Sequence, residues 1–243
     1  MEQEIDAPTG VPSGVPSGVP GVDIPDRRGR TGLDRAGRDL DRNPRVVVTD
    51  VRLLTSNWFV TRATTLELQH SDGSWSTQER ETYDRGDGAC ILLYDEGART
   101  VLLTRQFRYP AYVNEHPDGM LIEAAAGLLD ADEPEAAIRR ETEEELGHRV
   151  GPVEHVFDVY MSPGSVTERL HCFAAPYDRT SVIAGSRHGV AAEGEDTEVV
   201  ELDIDDALAR IGVDIVDAKT IMLLQWAALR GPFATGARAE AAE

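Results

Sequence analysis

Residues 126–147 read AGLLDADEPEAAIRRETEEELG, and no other stretch restricts the fold as sharply. Gly127 opens a loop, and Pro134 suits the first turn of a helix because its missing N–H costs nothing there. Gly147 is placed to stop that helix. At about 100° per residue, Glu141, Glu144 and Glu145 fall within one sector of it. Like charges three and four apart cost a bare helix roughly 0.2–0.5 kcal/mol per pair. Three carboxylates on one face therefore call for a cation opposite them. A hard divalent metal takes carboxylate oxygens and keeps positions for water and phosphate. An acidic run taken alone usually marks a solvated face. Here Ala137 and Ile138 lie one turn back on the same side, so the face is not simply solvent.

The rest of the composition narrows the partners. The chain has 243 residues, 41% of them hydrophobic, enough for one core of about 150–200 residues plus tails. Its 44 acidic and 24 basic residues leave a formal charge of −20. Nucleic acid and anionic membrane both need a basic patch, so neither is expected as a partner. A nucleotide is still allowed, because metal and a few local cations can meet its phosphates. Cys90 and Cys172 each stand in an apolar stretch, which reads as two buried thiols rather than a disulfide or a zinc site. No apolar run is long enough to span a membrane, and MEQEIDAPTG lacks the apolar core of a signal peptide. The cytoplasm is the default expectation.

Residues 1–45 read as a tail. GVPSGVPSGVPG repeats a Gly-Val-Pro unit that cannot bury enough surface to fold, and the Arg-rich segment after it is interleaved with Asp. Residues 231–243 read as a frayed end. Between them, strand character is predicted over 46–54, 58–69, 75–82, 88–94, 100–107, 119–125, 153–159, 170–176 and 198–202. The Asp-Gly of HSDGS signals a hairpin between the second and third of these. Helices are predicted from Pro134 to Gly147, over 204–211 and over 218–229. Strands come in runs with helices between and after them, which predicts an α+β fold: a mixed sheet with helices on its faces. The organisation expected is an N-terminal β subdomain over 46–86 and a main domain over 87–230.

The motif resembles the Nudix hydrolase signature G-x5-E-x7-R-E-U-x-E-E-x-G-U, where U is aliphatic. Gly127, Glu133, Arg140, Glu141, Glu144, Glu145 and Gly147 take the fixed places. The Glu133–Arg140 interval is one residue short, and Thr142 and His148 replace aliphatic residues. The short interval, the AGLLD-x-DEPE opening and the segments YDRGDGACILLY, LLTRQFR, YMSPGSVTE, EDTEVVEL and DAKT resemble the GDP-mannose pyrophosphatase branch. The likeness runs from about Val46 to Leu229.

That resemblance implies a Nudix-type α/β/α sandwich with an antiparallel N-terminal subdomain. It also implies Mg²⁺-dependent cleavage of a nucleoside diphosphate sugar, with Mn²⁺ as a possible substitute. Its metal ligands are Glu141, Glu144, Glu145, Glu195 and the Ala126 carbonyl, with Arg140 orienting a carboxylate. Glu168 or Glu195 is the candidate base. Gly194 replaces an acid often found just before Glu195. Substrate contacts fall to Trp58, Arg108, Gly127, Leu128 and Lys219. A homodimer with exchanged N-terminal strands would bring Glu79, Arg80 and Glu81 to the partner's site. Trp58, Arg108 and Lys219 also have plain readings, as core or surface residues. His116 and His171 receive no role. GDP-mannose is the expected substrate, with ADP-ribose or another nucleoside diphosphate sugar as the alternative, and a catalytically silent nucleotide-sensing module as the remote one.

Overall fold

The structure is a computed structural model describing residues 42–57, 59–129, 133–178 and 197–234. The tail before residue 42, Trp58, Glu195 and the last nine residues lie outside the described residues. The chain divides into two units, one built from the residues up to Arg85 with Gly164–Thr167, the other from Gly86–Pro163 and the residues from Glu168 on.

In the first unit, β1 (Val46–Ser56), β2 (Val60–Gln69) and β3 (Trp75–Asp84) form an antiparallel sheet in that order. The expected hairpin is present, with Gln69 opposite Trp75. Gly73 takes φ +85°, which disfavours any side chain, and the Asp72 carboxylate accepts from the Ser74 amide at 2.9 Å. Arg62 and Asp84 are fully buried and meet at 2.8 Å. Thr167 donates to the second Asp84 oxygen at 3.1 Å, so the carboxylate is held from two sides.

The second unit is built on β4 (Gly88–Asp95), whose first six residues are buried. A strand buried on both faces reads as a continuous apolar run, as GACILL does. β4 pairs in parallel with β9 (Arg169–Pro176) and antiparallel with β5 (Thr100–Phe107). The sheet order is β10-β5-β4-β9-β8, with β10 at Glu198–Asp203 and β8 at Glu154–Tyr160. Period-two alternation sends Cys90 and Leu92 into one core, with α3 (Ile204–Ala209) and α4 (Ala218–Leu229). Ala89, Ile91 and Leu93 enter a second core, with Ala137 and Ile138 of α2 (Pro134–Glu141). The expected mixed sheet between helices is what forms. Cys90 and Cys172 are register partners, both buried free thiols with sulfurs 3.3 Å apart.

Three local features depart from the sequence reading. A short α1 (Tyr109–Val113), not predicted, follows β5. The strand predicted over 119–125 is two strands, β6 (Met120–Glu123) on β5 and β7 (Ala125–Leu128) on β4. Between them, the Ala124 amide leaves both ladders and donates to Thr220 Oγ1 of α4 at 2.7 Å. The helix predicted to reach Gly147 is α-helical only to Glu141, and Thr142–Leu146 forms a π-helical turn. The Ile138 carbonyl there accepts from both the amide and the hydroxyl of Thr142, which loosens the α ladder at that point. Gly147 ends the turn as anticipated, with φ +66°.

Candidate active site

Two glycines create the space around which the motif is arranged. Gly127 on β7 lies opposite Ala89, and Leu128 opposite Gly88. A Cβ on Gly127 would come within 2.2 Å of Glu141 Cδ, so the Glu141 side chain lies directly on the β7 backbone. A Cβ on Gly88 would meet Glu168 Oε1 at 3.2 Å and the Gly127 carbonyl at 3.2 Å. Glu168, immediately before β9, thereby flanks the same Gly88 position as the Gly127 carbonyl of β7.

The three motif glutamates are not equivalent. Glu145 is buried, and its Oε2 accepts from the Ala126 amide at 3.3 Å. Glu141 and Glu144 are partly exposed. Arg140 places Nη2 3.5 Å from Glu141 Oε1. Thr142 and His148, the two residues at aliphatic positions, are nonetheless buried. Thr142 satisfies its hydroxyl on Ile138, and the His148 ring meets Tyr177 edge-on at 5.5 Å.

Next to this face lies a buried ionic network. Glu123, at the end of β6, accepts from Arg108 Nε at 2.6 Å and from Lys219 Nζ at 2.8 Å. Lys219 also meets Asp217 at 3.0 Å, and Asp217 caps α4 by accepting from the Thr220 amide. Burial alone would raise the Glu123 carboxyl, but Lys219 and Arg108 outweigh it and hold the group below the ordinary carboxylate range. Burial likewise works against the charge on Lys219, and Glu123 with Asp217 raises its pKa in spite of it. Arg108 is raised the same way, by Glu123 with Glu145 and Asp217 farther off. Lys219 therefore does not face water. Arg108, with 38% of its side chain exposed, is the cation of the pair that keeps contact with solvent.

The donors suit a hard divalent ion. Carboxylates and the Ala126 carbonyl are oxygen ligands, and glycine at 127 leaves the room that Glu141 occupies. Among the described residues, the group whose ligand atoms all lie within 4.8 Å of one another is His155, Asp158 and His171, not the glutamates. Trp58 and Glu195 fall outside the described residues. Glu79, Arg80 and Glu81 occupy consecutive exposed positions on β3.

Residues 84–224 match the family model of the NUDIX domain. The chain belongs to the Nudix hydrolase family. Enzymes of this kind generally use a divalent metal. Residues 45–83 match a second model, described as the GDP-mannose pyrophosphatase NudK N-terminal domain. A GDP-mannose pyrophosphatase of Pectobacterium atrosepticum is 51% identical over 190 residues, 78% of this chain and 97% of that one. Those of Cronobacter sakazakii and Yersinia enterocolitica are 48% and 51% identical, each over 74% of this chain and 93% of their own. A crystal structure of an ADP compounds hydrolase aligns at a TM-score of 0.55 over 75% of this chain and 94% of that one. At 16% identity it shows the Nudix fold alone.

Gly88, Glu123 and Asp217 escaped the sequence reading. Glu123 had a signal: a charge inside the apolar run MLIEAAAGL must find a partner if the run is buried. Gly88 had none without the register that sets it against Leu128.

Proposed function

We propose that this Nudix chain hydrolyses the pyrophosphate bond of a nucleoside diphosphate sugar, with GDP-mannose as substrate and GMP and mannose 1-phosphate as products. The observation that carries this reading is the 51% identity to a GDP-mannose pyrophosphatase across 97% of that protein's length. A likeness spanning both the N-terminal match and the Nudix match favours that substrate over ADP-ribose.

In this reading Glu141, Glu144, Glu145, Glu195 and the Ala126 carbonyl hold Mg²⁺, and Mn²⁺ can replace it. When bound, the ion neutralises phosphate oxygens and acidifies water. The water oxygen forms a bond to one phosphorus of the diphosphate, and the bond from that phosphorus to the bridging oxygen breaks. The proton released goes to Glu168 or Glu195. Glu168 has the support of its place beside Gly88, where a Cβ would meet both its Oε1 and the Gly127 carbonyl at 3.2 Å. Arg140 orients the Glu141 carboxylate, from which its Nη2 is 3.5 Å away.

Substrate phosphate is met by Arg108, whose guanidinium is fixed by buried Glu123. Lys219 supports that arrangement from the other Glu123 oxygen, and Gly127 and Leu128 line the approach. Trp58 offers a ring for the guanine base to stack on. A homodimer belongs to the same reading. Among the described residues, β3 is flanked by β2 on one side, and its other edge is bridged at Tyr83 by Val166 but by no further strand; such a strand edge is a template for a second copy. Glu79, Arg80 and Glu81 would then serve the partner's site, with Arg80 as the phosphate contact.

The test is steady-state hydrolysis of GDP-mannose, ADP-ribose and other nucleoside diphosphate sugars, with and without magnesium. The expected result is magnesium-dependent turnover with the highest kcat/KM on GDP-mannose. Faster turnover of ADP-ribose would overturn the substrate, and unchanged hydrolysis by Glu145→Gln would overturn the metal assignment.

A further inference from the structure

On β8, His155 and Asp158 are three positions apart, a spacing that sends side chains to opposite faces of a regular strand. The ladder with β9 is irregular there: His155 lies opposite Phe173, Phe157 opposite Cys172 and Asp158 opposite His171. Val156 is the extra residue, and its insertion reverses the alternation. Val156 and Phe157 both pack on the core of Cys90 and Cys172. His155 and Asp158 consequently share the opposite face with His171. The backbone, not a rotamer coincidence, brings the three together.

Asp158 Oδ1 is 2.7 Å from His155 Nε2 and 2.7 Å from His171 Nδ1. His171 is nearly buried, and the His155 ring is set edge-on to Phe173 at 5.4 Å, so both imidazoles are held. Asp158 and His155 keep 37% and 51% of their side chains exposed, which leaves the cluster open to an ion and to water.

We propose that His155, Asp158 and His171 form a zinc site built from residues outside the glutamate motif. Two imidazole nitrogens and one carboxylate oxygen select a borderline ion over magnesium, which prefers an all-oxygen shell. Zinc takes such ligands at about 2.0–2.2 Å in a tetrahedron, so they stand roughly 3.4 Å apart. The three ligand atoms already lie within 4.8 Å of one another, so reaching that spacing takes small side-chain movements in which Asp158 turns away from each ring. Water completes the fourth position on the exposed side. The site staples edge strand β8 to β9, the strand whose entry carries Glu168.

The experiment uses the full chain, stripped of metal, with Zn²⁺ titrated against a chromogenic chelator and Co²⁺ followed by its visible absorption. A variant carrying Glu141→Gln, Glu144→Gln and Glu145→Gln removes the motif carboxylates. It should retain one zinc equivalent and a tetrahedral cobalt spectrum. Adding His155→Ala or Asp158→Ala, both at exposed positions, should weaken zinc by at least ~100-fold, since even outer partners of ligands contribute 10–100-fold. Zinc should raise the Tm of the triple variant but not of its His155→Ala derivative. Magnesium-driven hydrolysis by His155→Ala alone should stay within about twofold of the parent. Equal zinc binding with and without His155 and Asp158, or no zinc taken up by the triple variant, would overturn the proposal.

Discussion

Gly127 and Glu141 share a contact that no other residue at 127 permits: a Cβ there would stand 2.2 Å from the carboxylate carbon and 2.4 Å from Oε1. The clash falls on the end of a flexible side chain, so Gly127→Ala should move the carboxylate rather than unfold the protein. We expect kcat/KM to fall by on the order of 10²-fold, the scale for roughly ångström misplacement in a catalytic site. Tm should change by only a few degrees, since a 1 kcal/mol loss shifts a domain of this size by about 2–4 °C. A large fall in Tm with intact specific activity would contradict this placement of Glu141.

Glu145 and Glu144 should separate in a magnesium titration. Glu145 is buried and bonded to the Ala126 amide, whereas Glu144 is partly exposed on the preceding position of the π turn. Glu145→Gln removes a charge from the ligand set and leaves the buried amide pairing possible, so the fold should persist while saturating magnesium fails to restore the rate. Glu144→Gln should be partly rescued by raising magnesium. Kinetics at several metal concentrations, beside circular dichroism of each variant, check both outcomes.

What could be read in the sequence was what local chemistry dictates. Gly147 had to be a stop because the chain leaves the helix through a left-handed residue, and β4 was visible because burial on both faces demands an unbroken apolar run. The split of the strand predicted over 119–125 was not legible. The apolar run continues through it, and the residue that decides the break, Thr220, is 96 positions from Ala124. The π turn was hidden as well: Thr142 fits an α-helix as a residue type, and nothing in TEEEL marks a change of ladder. His171 stood out only as a histidine because the bulge at Val156, which leaves no pattern in sequence, sets His155 and Asp158 on its side of the sheet.

Arg62 is the point at which the three-stranded unit should be most sensitive. It and Asp84 have no exposed side-chain surface and meet at 2.8 Å. Removing one partner leaves a buried charge, which costs about 3–5 kcal/mol. Arg62→Met should therefore destabilise more than Asp84→Asn combined with Arg62→Met, because the double variant strands no charge. Urea midpoints of the single and double variants give the comparison, and equal losses would contradict a charge-pair role.

Glu123 and Lys219 should shape the pH profile of stability at both ends. The Glu123 pKa lies below its ordinary value of 4.5 in the folded chain. Its contribution is therefore complete above 4.5 and disappears as pH falls through the depressed folded value. Lys219 is raised above 10.5, so its contribution is complete below 10.5 and disappears as pH climbs through the folded value. These are two views of one interaction and count once. Lys219→Met leaves Glu123 paired with Arg108 alone, and a loss of about 3 kcal/mol near neutrality is expected for a buried pair broken on one side. The acid limb should change as well: with Lys219 gone, Glu123 loses its largest stabiliser and titrates at higher pH, so the fall in stability should begin at higher pH than in the parent. Urea midpoints measured at closely spaced pH values between about 3 and 7 resolve that shift. Parallel acid limbs in parent and variant would show that Lys219 does not hold the Glu123 charge.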